Sequence, residues 1–446
     1  MTDSSFVPHV VFGLDPMLVS TAILLATYAA IIWDKLNRSI VALLGASLTI
    51  LVGALDQAEA LRGVDWNTLG LLTGMMILVS IARRSGMFQY AAIWSAQRAK
   101  ANPAGILLLL QLTTAVVSAV LNNVTTALLI APVTLVIAEE LAVPPYPFLF
   151  AEVFASNIGG TATLIGDPPN ILIGSLAGLD FNAFVVHLMP VIIVVMAAQA
   201  LMIHLLWGKA MQSTSERRAR VMAMRAGEAV IDPVLLRQAT AVLAVVIAAF
   251  IFAQRLNLSL ATIAMTGAAI LMFLDNWQHH NERQSENVHK TFSDVEWITI
   301  FFFLGLFIVV HGVETGGLLQ VLADRLVAAT GGSMASAGYA ILWASALLSA
   351  IVDNIPFVAT MIPLIKSMAP AYGGTDSIVP LWWCLSLGAC LGGNGTLIGA
   401  SANLTVAGLA ERNGIAFRFS TYTLYAFPMM LVSIAICHAY VWWRYF

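Results

Sequence analysis

Two short stretches rich in glycine, asparagine and threonine interrupt an otherwise apolar chain at related positions: Ser156 to Asn170, SNIGGTATLIGDPPN, and Gly392 to Asn403, GGNGTLIGASAN. Gly159, Gly160, Thr163, Leu164, Ile165, Gly166 and Asn170 recur in register as Gly392, Gly393, Thr396, Leu397, Ile398, Gly399 and Asn403. Apolar runs flank both copies, yet their composition does not sustain a helix, because glycine and proline break the backbone ladder. Each copy therefore reads as a helix broken within a membrane. Irregular backbone at that depth is tolerated only when buried in protein or lining a wet cavity, and paired broken segments in two halves of a chain point to a transport site.

The membrane assignment rests on composition. Of 446 residues, 59% are hydrophobic and only 10% charged, with a mean hydropathy of +0.87. Soluble domains carry roughly 25% charged residues. The net charge of −3 says little about partners, since the placement of charge governs membrane topology. The opening MTDSSFVPHVVFGLD has no Lys or Arg, unlike a secretory signal, so the first apolar segment is expected to be retained. Cys384, Cys390 and Cys437 fall in apolar runs without metal-ligand spacing and read as packed thiols.

Runs long enough to cross a bilayer core of about 30 Å lie near Leu18 to Trp33, Ile40 to Leu55, Trp66 to Ala82, Ala183 to Trp207, Leu235 to Ala253, Leu260 to Leu274, Trp297 to Val313 and Tyr422 to Trp443. The two broken segments add one crossing to each half. Two further pairs of runs meet at very short polar tips, Asn122-Asn123 and Asp353-Asn354. Tips so short predict re-entrant hairpins that turn inside the membrane. With the hairpins not crossing and the N-terminus outside, only Arg62, Arg255, Arg325, Lys366 and Arg444 of the 21 basic residues face out. That asymmetry satisfies the positive-inside rule and predicts a cell-membrane protein with both termini outside.

The repeat extends beyond the broken segments. Leu36, Asn37 and Ser39 recur as Leu256, Asn257 and Ser259; Trp66, Thr68, Gly74 and Gly86 as Trp297, Thr299, Gly305 and Gly317; Ser118, Ala119, Asn123 and Pro132 as Ser349, Ala350, Asn354 and Pro363. The expected fold is thus an all-α polytopic membrane protein. It has two inverted-topology repeats, each with five transmembrane crossings (one broken) and one re-entrant hairpin. The stretch Gly208 to Pro233 joins the halves as a cytoplasmic surface helix or linker. The stretch Asn276 to Lys290, with His279, His280 and His289, reads as a second cytoplasmic loop.

Two carboxylates, Asp167 and Asp353, stand in the four polar breaks, opposite Ala400 and Asn122 in the repeat. A carboxylate at mid-membrane depth marks a cation ligand or proton carrier; the bland alternative is a helix cap. Around them Asn122, Asn123, Thr125, Asn157, Gly160, Thr161, Thr163, Asn170, Asn354, Gly393, Asn394, Thr396 and Asn403 supply short oxygen ligands and freed carbonyls. Such groups suit a hard cation, with sodium expected at Asn123, Asp353 and Asn354 if a metal is bound. No Lys or Arg lies in any break, which favours a neutral or singly charged solute, or an anion entering with cations. Glu152, Glu314, His187, His204 and His311 also lie in or near apolar runs and read mainly as packing or interface residues. The chain lacks HExxH, GxSxG and GxxxxGK motifs, so neither hydrolase chemistry nor ATP use is indicated.

The strings SNIGGTATLIGDPPN, VDNIPFVATMIP and GACLGGNGTLIGASAN resemble the ArsB/NhaD/P-protein permease family of the ion transporter superfamily, nearest its P-protein branch. The resemblance implies a homodimeric, elevator-type secondary carrier without an organic cofactor or nucleic-acid partner, in contact with membrane lipid. It implies scaffold segments at residues 1–103 and 235–333, transport segments at 104–207 and 334–446, and a linker at 208–234. The solute it implies is inorganic, arsenite- or antimonite-like or a small anion, coupled to protons or sodium. A sodium/proton antiporter is the alternative within the class, and an anion channel the alternative outside it. Cysteines introduced at Lys209 and at either terminus should label from opposite faces of intact cells; labelling from one face would refute the expected topology.

Overall fold

The computed structural model describes residues 8–33, 35–277 and 279–446. Among them sixteen principal helices fall into two sets of eight. The first set comprises α1 (Pro16–Trp33), α2 (Arg38–Leu51), α3 (Trp66–Arg84), α4 (Pro103–Val120), α5 (Asn123–Leu141), α6 (Tyr146–Thr161), α7 (Pro168–Ala177) and α8 (Phe181–Trp207). The second comprises α9 (Pro233–Ile251), α10 (Leu260–Asn276), α11 (Trp297–Thr315), α12 (Met334–Ser349), α13 (Asn354–Met368), α14 (Val379–Gly392), α15 (Ser401–Arg412) and α16 (Phe419–Tyr445). Nine helices among the described residues are long and apolar enough to cross a membrane. The fold is all-helical and the protein multi-pass.

Both broken helices are present. Helix α6 ends at Thr161 and α7 starts at Pro168; α14 ends at Gly392 and α15 starts at Ser401. The short polar tips also exist, with Leu121 and Asn122 alone between α4 and α5. Each of those two helices is itself within the length range of a crossing. Sequence periodicity missed the amphipathic connectors Met87–Arg98 and Leu318–Ala329, which lead from α3 and α11 into the hairpins. It also misread Asn276 to Lys290 as a loop. Most of that stretch belongs to a helix, Asn281–Ser293, anchored where Gln284 Nε2 donates to the Asn276 carbonyl at 3.2 Å. The linker contains one short surface helix, Ser215–Ala223.

The two sets interlock rather than sit side by side. Helix α2 packs on α11 and α3 on α10, so each early helix finds its partner in the other repeat. The repeated glycines explain how. A Cβ on Gly74 would lie 2.7 Å from the Ala264 carbonyl carbon, and one on Gly305 would lie 2.5 Å from that of Ala42. Small residues allow such backbone contact in membranes, where packing replaces the hydrophobic effect as the drive for helix association. The repeated pair Gly86 and Gly317 serves another purpose: both have positive φ, +83° and +87°, at the sharp entry into the connectors. Later helices are paired as closely, α4 with α6 and α12 with α14, and the halves join through α5–α15, α7–α13 and α8–α16.

Gly305→Val should lower the apparent melting temperature of the purified protein, because forced overpacking costs about 1–3 kcal/mol. Gly408→Ala, where nothing lies within 4 Å of the added carbon, is the control and should not. Equal stability of both variants would refute the close-packing role.

Candidate functional site

The four breaks converge on one buried polar centre. At the first tip, Asn123 Nδ2 donates to Asn157 Oδ1 at 3.0 Å and to Asp167 Oδ1 at 3.3 Å. Asn157 in turn donates across the repeat boundary, through Nδ2, to Asn394 Oδ1 and Asn403 Oδ1, both at 2.9 Å. Asn354 from the second tip and the Cys390 thiol border the Asp167 carboxyl group. All these residues are buried, Asp167 at 1% exposure. Asp167 Oδ2 and Asn394 Nδ2 nevertheless lack a hydrogen-bond partner.

The surrounding groups satisfy the broken backbone, and they do so twice in closely similar ways. Asn170 Nδ2 donates to the carbonyls of Thr161 at 3.1 Å and Thr163 at 2.9 Å; its equivalent Asn403 donates to those of Gly393 at 2.8 Å and Thr396 at 2.9 Å. The Thr163 hydroxyl donates to the Ala119 carbonyl and the Thr396 hydroxyl to that of Ala350, tying each break to its hairpin. Ser118 and Ser349 add matching bonds, 2.6 Å each, to the carbonyls of Ser156 and Ala389. Gly160 and Gly393 permit the chain to fold back: a Cβ there would meet the Gly166 and Gly399 oxygens at 2.6 and 3.0 Å. Such bonding is the condition for irregular backbone inside a membrane.

The sequence-predicted residues thus separate by task. Asn123, Asn157, Asp167, Asn354, Asn394 and Asn403 meet at the centre, whereas Gly160, Thr161, Thr163, Asn170, Gly393 and Thr396 build its walls. Asn122 is half-buried and caps α5 by accepting from the Val124 amide at 2.8 Å. Thr125 is half-buried beside it, and Thr126 is the threonine that bonds the Asn122 carbonyl, at 3.0 Å.

The two acids differ. Asp167 precedes α7 without capping it, so its carboxylate is left to the centre. Asp353 caps α13, accepting from the Ile355 amide at 3.2 Å, and turns outward to Arg38 Nη1 at 2.7 Å. Sequence reasoning missed Arg38, which starts α2, because nothing in the local pattern says that residue 38 meets residue 353. It also missed Ser401, which donates to Asp353 Oδ2 at 3.1 Å, and Ser386, which donates to Asn170 Oδ1 at 2.6 Å. Of the outlying residues, Glu152 binds Thr134 and His311 pairs with Glu314 at 3.1 Å, neither joining the centre. Among the described residues no group of three or more His, Cys, Asp and Glu is placed to hold a metal ion. The centre's donors are amide and carboxylate oxygens, which suit a proton or a small hard cation. A separate apolar groove of about 880 Å³ runs between α4, α6 and α8, with Gly159 and Ala162 of the first break in its lining.

A family model described as citrate transporter, CitMHS, matches residues 28–388. An uncharacterized transporter of Mycobacterium bovis is 42% identical over 96% of this chain and 99% of its own length. The human P protein is 31% identical over 95% of this chain, which spans 59% of that longer protein. The crystal structure of the Alcanivorax borkumensis YdaH transporter superposes with a TM-score of 0.58 at 13% identity, covering 96% of this chain and 98% of that one; this likeness concerns the fold.

Asn170→Ala and Asn403→Ala should each destabilise the protein by about 1–3 kcal/mol, the cost of leaving buried carbonyls unpaired. Thermal unfolding in detergent reads this out, and unchanged melting would show that the amides do not hold the breaks.

Proposed function

The chain belongs to the citrate-transporter family CitMHS, and from that premise we propose that this multi-pass transporter is a secondary active, elevator-type carrier whose coupling cation binds at Asp167. The observation that carries the reading is Asp167 itself: a buried carboxylate with one unpartnered oxygen, bordered by both hairpin tips and ringed by amides. A charge so placed is costly unless it has work to do. Proton and sodium are both compatible with its oxygen donors.

The same geometry supports a small, oxygen-rich solute. The amide ring offers donors and acceptors without a fixed positive charge, and the nearby Arg38 is already neutralised by Asp353. A neutral oxyacid of the arsenite or antimonite kind, or a small anion, needs no additional counter-charge once the cation is bound. A multiply charged carboxylate such as citrate, after which the family is described, would need further cations to accompany it. The elevator reading draws on the repeat: two hairpins and two broken helices enclose one centre, and shifting that body past α1–α3 and α9–α11 exposes it to each side in turn. In this reading the hairpins are re-entrant, the repeats inverted, and the frame carries a homodimer contact in the cell membrane.

Gradient-driven uptake into proteoliposomes tests this. Asp167→Asn should abolish dependence of uptake on a proton or sodium gradient while leaving the protein folded, since the amide keeps the shape and one acceptor. Wild-type uptake should saturate with solute drawn from arsenite, antimonite and small anions. Full gradient dependence in the variant would overturn the assignment of Asp167, and non-saturable, gradient-independent flux in the wild type would favour a channel.

A further inference from the structure

The Arg38–Asp353 pair joins two parts of the protein that the elevator reading requires to separate. Arg38 opens α2 in the frame, and its guanidinium is held there: Nη2 lies 3.4 Å from Thr299 Oγ1, and Cζ lies 5.2 Å from the centre of the Phe302 ring, both on α11. From that seat Nη1 reaches Asp353 Oδ2 at 2.7 Å and Ser401 Oγ at 3.0 Å, on the second hairpin tip and the start of α15. Ser401 closes the triangle by donating to the same carboxylate oxygen at 3.1 Å. One planar cation thus clamps two elements of the body that is to move, and its rigid fork suits that geometry. A second bond follows the same line, from Tyr28 Oη on α1 to the Pro356 carbonyl at 2.6 Å.

The repeat provides an internal comparison. The residues at the equivalents of Arg38 and Asp353 are Leu258 and Asn122, which cannot pair. Leu258 instead lines a concavity beside α7, with Asn67, Ser175 and Asn257. Among the described residues the frame therefore grips the second hairpin by charge and has no such grip on the first.

We propose that Arg38 and Asp353 form a state-selective latch, resting on the elevator reading above, which holds the protein in the conformer described here and must open in each transport cycle. Both side chains are only partly buried, at 27% and 19% exposure, so the pair can part without leaving either charge enclosed in the protein. A fully buried pair would resist opening, because each released charge would face the desolvation cost alone. The absence of a counterpart on the other side makes the cycle asymmetric: one facing state is favoured by the ion pair and the other is not.

A reporter remote from the latch tests it. Asn67 Nδ2 on α3 donates to Ser175 Oγ on α7 at 2.9 Å, a contact between frame and moving body. In the cysteine variant N67C/S175C, reconstituted in liposomes, crosslinking rate reports occupancy of this conformer. Adding Arg38→Met, Asp353→Asn or both should lower that rate about tenfold, as losing a charged hydrogen bond shifts a two-state balance. Arg38→Lys should fall between. The double substitution leaves no charge unpaired, so its fold is protected while the latch is still lost. An unchanged crosslinking rate in the double variant overturns the latch. The elevator reading fails separately, if the crosslinked N67C/S175C protein transports at the full rate.

Discussion

Everything in this structure depends on the satisfaction of broken backbone where solvent is scarce. Two helices stop and restart inside the protein, and the carbonyls released at Thr161, Thr163, Gly393 and Thr396 need donors. Two asparagine amides, Asn170 and Asn403, provide them by reaching back across their own breaks. Hairpin carbonyls at Ala119 and Ala350 receive the threonine hydroxyls. The breaks cannot be moved independently of the hairpins without losing these bonds. Each broken helix and its hairpin are thus tied into one unit by these hydrogen bonds alone.

The amides also explain how a buried polar centre can be built from so little charge. Asn157 accepts from Asn123 and donates to Asn394 and Asn403, so one side chain joins its own break to two others. Its burial is complete, and a lost partner in such a network costs more than a single bond because the neighbours are also dry. Asp167 enters this network by one oxygen only. The remaining oxygen, buried and without a partner, is what sets Asp167 apart from a helix cap.

Much of this was legible in the chain because repetition and membrane thickness are strong constraints. The broken helices, the hairpin tips and the asparagines around Asp167 follow from apolar run lengths and from strings that occur twice. Element ends were less legible: α2 stops at Leu51 where the apolar run continues to Leu55, and connectors such as Met87–Arg98 are too short and mixed in character to carry a membrane signal. Arg38 was invisible for a different reason. Its importance comes from a contact between residues more than 300 positions apart, and local pattern holds no trace of it. Reading the breaks alone, the site has no fixed cation; the fold supplies one at its edge, from the frame.

The two acids are distributed against the symmetry of the repeat. Symmetry would place equal groups at equivalent positions, yet Asp167 stands opposite Ala400 and Asp353 opposite Asn122. Identical acids in both breaks would put like charges together in a dry centre, where repulsion is strong. With one acid at the centre and the other paired with Arg38 at the edge, that conflict is reduced. The central acid keeps one oxygen without a partner, and the outer acid is held by Arg38 of α2. The repeat supplies the shape, and its two departures from symmetry set the two acids in different surroundings.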